Sequence, residues 1–354
     1  VFGAEYQKKI LITNIRNKNR KYMENEVTTS TDIHFESRID LSELYQSMND
    51  VRLELKKVIV GQEKMIDHLL VAILANGHVL LEGVPGVAKT IAVKLLSKSL
   101  DVKFSRIQFT PDLMPSDILG TSVFDLKKTE FEFRPGPVFA NLVLIDEINR
   151  APAKTQAALF EVMDERQITI DGKCYHMEAP FLVLATQNPI EQEGTYRLPE
   201  AQLDRFMFKI VIDYPNPEDE FEIIRREHEA VNGDKTADVR QVLTGEKLIR
   251  YISLVRQVRV EKNVIEYIAQ IVNKTRNNPF LYLGASPRAS LAILHAAKGF
   301  AALRGRDFVT PDDVIDSSVI VLQHRLIVSP EKEMEGLRTE EIVNQIIKSV
   351  EVPR

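Results

Sequence analysis

The residues of this chain best suited to chemistry are suited to handling a phosphate. Gly83, Val84, Pro85, Gly86, Val87, Ala88, Lys89 and Thr90 follow the apolar run Val79–Leu81. Glycines there let backbone N–H groups wrap an anion. The helix starting near Lys89 aims its positive dipole end at the same point, Lys89 adds an ammonium, and Thr90 adds a hydroxyl able to ligate Mg²⁺. The strict pattern GxxxxGK[ST] has glycine before the lysine. Ala88 stands there instead, one methyl larger, which fits if that residue is already helical.

Further along, Asn141–Ile145 reads as a buried strand ending in Asp146 and Glu147. Carboxylates at a strand tip facing a crevice need a partner: Asp146 can hold Mg²⁺ through its water shell together with Thr90, and Glu147 can polarise a water that attacks a γ-phosphate. The plainer alternative makes both exposed strand-end residues that cap the helix after Pro152. A third strand, Phe181–Thr186, leads to Asn188, whose neutral amide could hold that water or a phosphate oxygen; an Asn before Pro is also a common turn residue. Arg205 lies at a helix-to-strand junction before the alternating Phe206, Phe208, Ile210 and Ile212. Its fork of donors suits a triphosphate, and from that side of a core it would reach a neighbouring subunit's nucleotide; an ion pair with Asp204 or Glu200 is the alternative.

The rest of the chain must position these groups. At 354 residues it exceeds the size of one typical core, so two ordered domains are expected. With 46 basic and 51 acidic residues the formal charge is −5, which argues against a nucleic-acid coat. One cysteine, Cys174, rules out an internal disulfide and points to a reducing, cytoplasmic setting. No apolar run is long enough to span a bilayer. Residues 1–40 carry no sustained period and read as a mobile arm. Helical spacing of Leu44, Met48, Val51, Leu55 and Val58, and then of one face marked by Ile66, Leu69, Leu70, Ile73 and Leu74, gives two helices. Between them Val60 and Gly61 would lie near a nucleotide base, or form a simple interhelical turn. A hairpin is expected around Asp171-Gly172. After Pro215 the β signal fades into amphipathic helices, so the domains divide into a core over 41–215 and a helical domain over 216–354. Ser286-Pro287 and Thr310-Pro311 are capped helix starts, and the first fixes Arg288 on an opening turn.

Taken together, the runs 82–90, 142–152, 185–196 and 198–206 resemble the AAA+ ATPase superfamily and, in wording, its MoxR branch; the resemblance covers about Leu41 to the C-terminus. It implies an α/β P-loop core with a parallel sheet and a C-terminal all-α lid; the stretch 119–137 resembles a hairpin inserted into the core's second helix, and this hairpin and the one around Asp171-Gly172 could each touch a client or merely pack on the core. It also implies ATP and Mg²⁺ as cofactors, a ring that is most often a hexamer, and chaperone-like work on protein clients, with partners carrying von Willebrand A-type domains. Arg288 then resembles the second sensor of the lid, which reaches back to its own subunit's γ-phosphate. Two other readings stand beside this one. A nucleic-acid motor would show ATPase stimulation by DNA or RNA with steep salt dependence, and the acidic balance counts against it. A nucleotide-gated scaffold would bind ATP with little turnover, and the two carboxylates count against that.

Overall fold

Alternation explains the central sheet. Leu142 and Leu144 join one buried layer while Val143 and Ile145 join the other, so this strand is covered on both faces, as parallel sheets require. The computed structural model describes residues 39–353 except 85, 87, 88, 190–194, 197 and 230–237. The expected arm thus lies, up to residue 38, outside the described residues, and the chain from Ile39 onward forms one compact unit.

Its elements run α1 (Ser42–Lys56), α2 (Glu63–Leu74), β1 (Val79–Gly83), α3 (Lys89–Leu100), β2 (Phe104–Gln108), α4 (Pro115–Leu119), β3 (Gly120–Asp125), β4 (Glu130–Pro135) and β5 (Leu142–Asp146). A 3-10 turn at Ile148–Arg150 precedes α5 (Ala153–Glu165), β6 (Gln167–Ile170), β7 (Lys173–His176), β8 (Leu182–Gln187), α6 (Glu200–Leu203) and β9 (Phe208–Ile212). The lid follows as α7 (Pro217–Glu229), α8 (Gly245–Arg256), α9 (Lys262–Arg276), β10 (Leu281–Leu283), α10 (Pro287–Leu303), α11 (Pro311–Leu322), β11 (Ile327–Val328), α12 (Pro330–Met334) and α13 (Thr339–Lys348).

The five-stranded sheet has the order β2-β5-β8-β1-β9, and every pairing is parallel. One face packs on α1, α2, α3 and the lid helices, the other on α4, α5 and the hairpins. Both hairpins form where expected. Asp171 and Gly172 take φ of 51° and 74°, the left-handed pair that a tight two-residue turn needs.

Three expectations change. The lid is helical but carries a short antiparallel ribbon, β10 with β11, too brief for any periodicity to announce. α2 buries Met65, Val71 and Ala72 besides the expected face, because the lid packs on its other side. There Gly299 of α10 lies so close that a Cβ would fall 2.9 Å from Val71 Cγ1. The change of composition at Pro215 therefore marks a change of architecture without a break in packing: one continuous apolar core runs from the sheet through α1 and α2 into the lid. Finally, neither hydroxyl accepts a helix N–H as expected: at Thr310 the Asp313 carboxylate takes the Thr310 N–H at 2.9 Å and its hydroxyl at 3.0 Å, and the Ser286 hydroxyl donates to Asp204 at 3.0 Å.

Candidate active site

Parallel register fixes which residues meet. Glu82 lies beside Gln187, and Gln108 beside Asp146, so the C-terminal tips of β1, β2, β5 and β8 share one edge. Ligands of open α/β sheets bind at that edge. α3 begins there with Lys89, whose ammonium donates to the Gly83 carbonyl and to the Gln187 carbonyl at 3.3 Å. Gly86, at φ +87°, has open space where a Cβ would stand, so an anion can approach its backbone closely. Val84 is half-buried; Pro85, Val87 and Ala88 lie outside the described residues.

Asp146 is buried and gathers three donors. Thr90 Oγ1 stands 3.2 Å and Thr186 Oγ1 3.3 Å from its Oδ1, and Arg106 Nε stands 2.6 Å from its Oδ2. A buried carboxylate needs such compensation. A hydroxyl and a buried carboxylate 3.2 Å apart beside the phosphate-loop edge are the hard oxygen donors that a small hydrated cation takes, the hydroxyl directly and the carboxylate through its water shell. The pair therefore fits Mg²⁺. Among the described residues no group of three or more His, Cys, Asp or Glu could hold a metal, so an ion here would complete its shell with water and phosphate oxygens.

Glu147 takes φ +57°, a left-handed conformation uncommon for a side-chain-bearing residue. Its N–H donates to Thr186 Oγ1 at 3.0 Å, and its carboxylate accepts from Gln108 Nε2 at 2.8 Å and pairs with Arg150 Nε at 3.2 Å. The backbone twist sends the acid off the strand line, and the two side chains hold it there. Asn188 is buried just past the tip of β8. Val60 is half-buried and Gly61 takes φ +64°, packed so closely on α7 that a Cβ would clash with the Asp219 carboxylate.

The two arginines lie elsewhere. β9 runs parallel to β1 with Phe208 beside Val79, so Arg205 sits at the N-terminal edge, about 16 Å of strand from the phosphate-loop edge for five residues at ~3.3 Å each. Its Nη1 donates to the Phe160 carbonyl at 2.8 Å and pairs with Asp164 at 2.5 Å. Arg288 pairs with the same Asp164 oxygen at 3.2 Å. α5 returns antiparallel to the strands and ends at this edge. His78, just before β1, fixes it there, accepting the Val183 N–H on Nδ1 at 2.9 Å with Nε2 3.1 Å from the Met163 carbonyl. Arg288 therefore does not face its own subunit's phosphate loop, as the resemblance implied. The lid docks on α1, α2 and β9, which carries the opening turn of α10 to the far edge.

Sequence reasoning missed Arg106, Gln108 and Thr186, whose partners are set by strand register. It also missed Arg325, a buried lid residue whose guanidinium donates to Asp204 Oδ1 at 2.7 Å and to the carbonyls of Phe206, Met207 and Val321 at 2.6, 3.1 and 2.6 Å. The alternation of Arg106 and Gln108 with apolar neighbours was the one local signal available.

Residues 78–208 match the family described as "ATPase family associated with various cellular activities (AAA)", and residues 273–346 match "AAA lid domain". The chain is 46% identical to the chaperone MoxR1 of Mycobacterium tuberculosis over 310 residues, covering 85% of this chain and 81% of the relative. It is 30% identical to the MoxR protein of Paracoccus denitrificans over 319 residues, covering 82% and 91%. A crystal structure from Cytophaga hutchinsonii, described as a candidate ATPase, shares 42% identity and superposes with a TM-score of 0.81 over 89% of this chain and 97% of that one. With the parallel sheet, the phosphate-loop edge and the helical lid already in hand, these likenesses identify the chain as a member of the MoxR family of AAA+ ATPases.

Proposed function

We propose that this chain hydrolyses ATP with Mg²⁺ at sites completed between neighbouring subunits of a ring, and uses the cycle to remodel or mature protein clients. The observation that carries this reading is the convergence of Lys89, Thr90, Asp146, Glu147 and Asn188 on one sheet edge. Lys89 and the backbone at Gly83–Gly86 bind the phosphates, and Val60 and Gly61 border the base. Thr90 and Asp146 hold Mg²⁺, which offsets phosphate charge. Glu147 orients the attacking water and takes its proton; Asn188 holds the water or a γ-phosphate oxygen. Arg205 and Arg288, on the opposite edge, serve the nucleotide of the next subunit, where two guanidiniums offset transition-state charge. Loss of the γ-phosphate then removes an anchor shared by the core and the lid of the neighbour, so the subunit interface and the lid angle change together.

Client contact is best supported at the β3–β4 hairpin. Phe133 packs on Tyr175 of the second hairpin with ring centroids 4.3 Å apart, and Ser122 hydrogen-bonds to Asp171, so the two hairpins brace each other. At the tip Phe124 and Phe131 stack edge-on at 5.2 Å while Leu126 is 86% exposed, an apolar surface no described residue covers. Family likeness suggests a hexamer and a partner with a von Willebrand A-type domain. Among the described residues no helix is long and apolar enough to cross a membrane, and the lone Cys174 is a free thiol, which suits the cytoplasm.

Two variants test the site. Lys89→Ala should abolish nucleotide binding, whereas Glu147→Gln should keep ATP bound and stall single-turnover hydrolysis. Equal loss of binding in both contradicts the assigned roles. The Glu147→Gln protein is also the trap for capturing a client.

A further inference from the structure

Asp164 stands on the last turn of α5, where the mechanism above gives it no part. One of its oxygens, Oδ2, meets Arg205 from the core at 2.5 Å and Arg288 from the lid at 3.2 Å. Beside it Asp204 accepts from Arg325 and from the Ser286 hydroxyl, at the base of the helix that carries Arg288. Three guanidiniums and two carboxylates thus share one corner, which leaves it one positive charge in excess. Arg325 is fully engaged inward, at 3% side-chain exposure, so the excess resides on the outer pair, at 29% and 52% for Arg205 and Arg288. Arg205 still has its buried Nε without a hydrogen-bond partner among the described residues. Without an anion between them, two guanidiniums at this spacing would repel; with one they share a direction and keep donors for a second anion.

We propose that Asp164 is a positioning residue that gathers Arg205 and Arg288 into one grip offered to the nucleotide of a second copy of this chain. The inference rests on the proposal that both arginines act across a subunit interface. A grip assembled beforehand from core and lid lets one γ-phosphate engage both arginines at once, without first collecting the lid arginine from solvent.

The test uses the full chain. Asp164→Asn should lower kcat for ATP about tenfold or more, since small misplacements of positioning groups cost up to ~10²-fold, with KM and ATP binding changed less than about twofold. Nucleotide binding is spared because it belongs to the opposite edge of the sheet. Asp164→Glu, which keeps the charge on a longer arm, should recover part of the loss. Asp164→Asn mixed with Glu147→Gln should exceed the summed activity of the two proteins, because some interfaces then pair an intact arginine face with an intact Glu147. Arg205→Ala mixed with Glu147→Gln is the parallel arm. Recovery there but not with Asp164→Asn overturns the proposal and leaves the trans reading standing. Recovery in neither mixture overturns both. An unchanged kcat in Asp164→Asn, or a glutamate no better than the asparagine, also overturns it.

Discussion

Replacing Arg325 with methionine should be among the most damaging single changes outside the phosphate-loop edge. The guanidinium is 3% exposed, and its partner Asp204 is 21% exposed. It also donates to the carbonyls of Asp204, Phe206, Met207 and Val321. Methionine fills the volume but returns none of these bonds, and among the described residues it leaves the Asp204 carboxylate with the Ser286 hydroxyl alone. Breaking a buried pair from one side costs about 3–5 kcal/mol. Urea unfolding at pH 7.5 should show that loss as a lower midpoint at constant slope. The double variant Arg325→Met/Asp204→Leu, with no stranded charge, should regain part of it. Because Arg205 directly follows Asp204, the single variant should also lower ATPase activity while ATP binding at Lys89 persists. A stability change below about 1 kcal/mol, or a double variant worse than the sum of its parts, would mean that Arg325 is not the partner holding this corner together.

Two further outcomes follow from particular residues. Burial pushes the His78 imidazole down to about 4 from its ordinary 6.5, so the folded protein holds it neutral. The unfolded chain binds the extra proton first; its stabilising contribution is complete above about pH 6.5 and is lost as pH falls toward 4, reaching roughly 2 kcal/mol by pH 5. Buried His68 and His324 act in the same direction, so urea midpoints at pH 7.5 and pH 5 read the sum, and His78→Gln should shrink that difference by roughly the 2 kcal/mol that His78 contributes. At Gly120, φ is +102° and a Cβ would fall 2.2 Å from the Arg134 carbonyl oxygen. Gly120→Ala should therefore open the β3–β4 hairpin to proteolysis at a cost of about 1–3 kcal/mol, with ATP binding retained and client capture lost.

Local spacing made much of this molecule legible. A phosphate-binding turn, a strand ending in two acids and an Asp-Gly hairpin each declare themselves within a dozen residues, because backbone conformation and side-chain chemistry are both set locally there. What escaped depends on partners distant in the chain. Gln108 meets Glu147, and Thr186 meets Asp146, only through strand register. The direction of Arg288 depends on where the lid docks, and that docking was not legible in α2, which reads as a helix with one apolar face although the lid covers its other side. Arg325 reads on paper as a charged residue in the last turn of a helix traced from Pro311 to Leu326; the helix ends at Leu322, and only the packing of that end against Asp204 and β9 turns Arg325 into a buried hub.

The most direct test is the structure of Glu147→Gln assembled with Mg²⁺ and ATP. The γ-phosphate should lie within hydrogen-bond reach of Lys89 and Asn188 of one subunit and of Arg205 and Arg288 of its neighbour. Nucleotide lodged away from Gly83–Thr90, or Arg288 of the same chain on the phosphate, would contradict this arrangement.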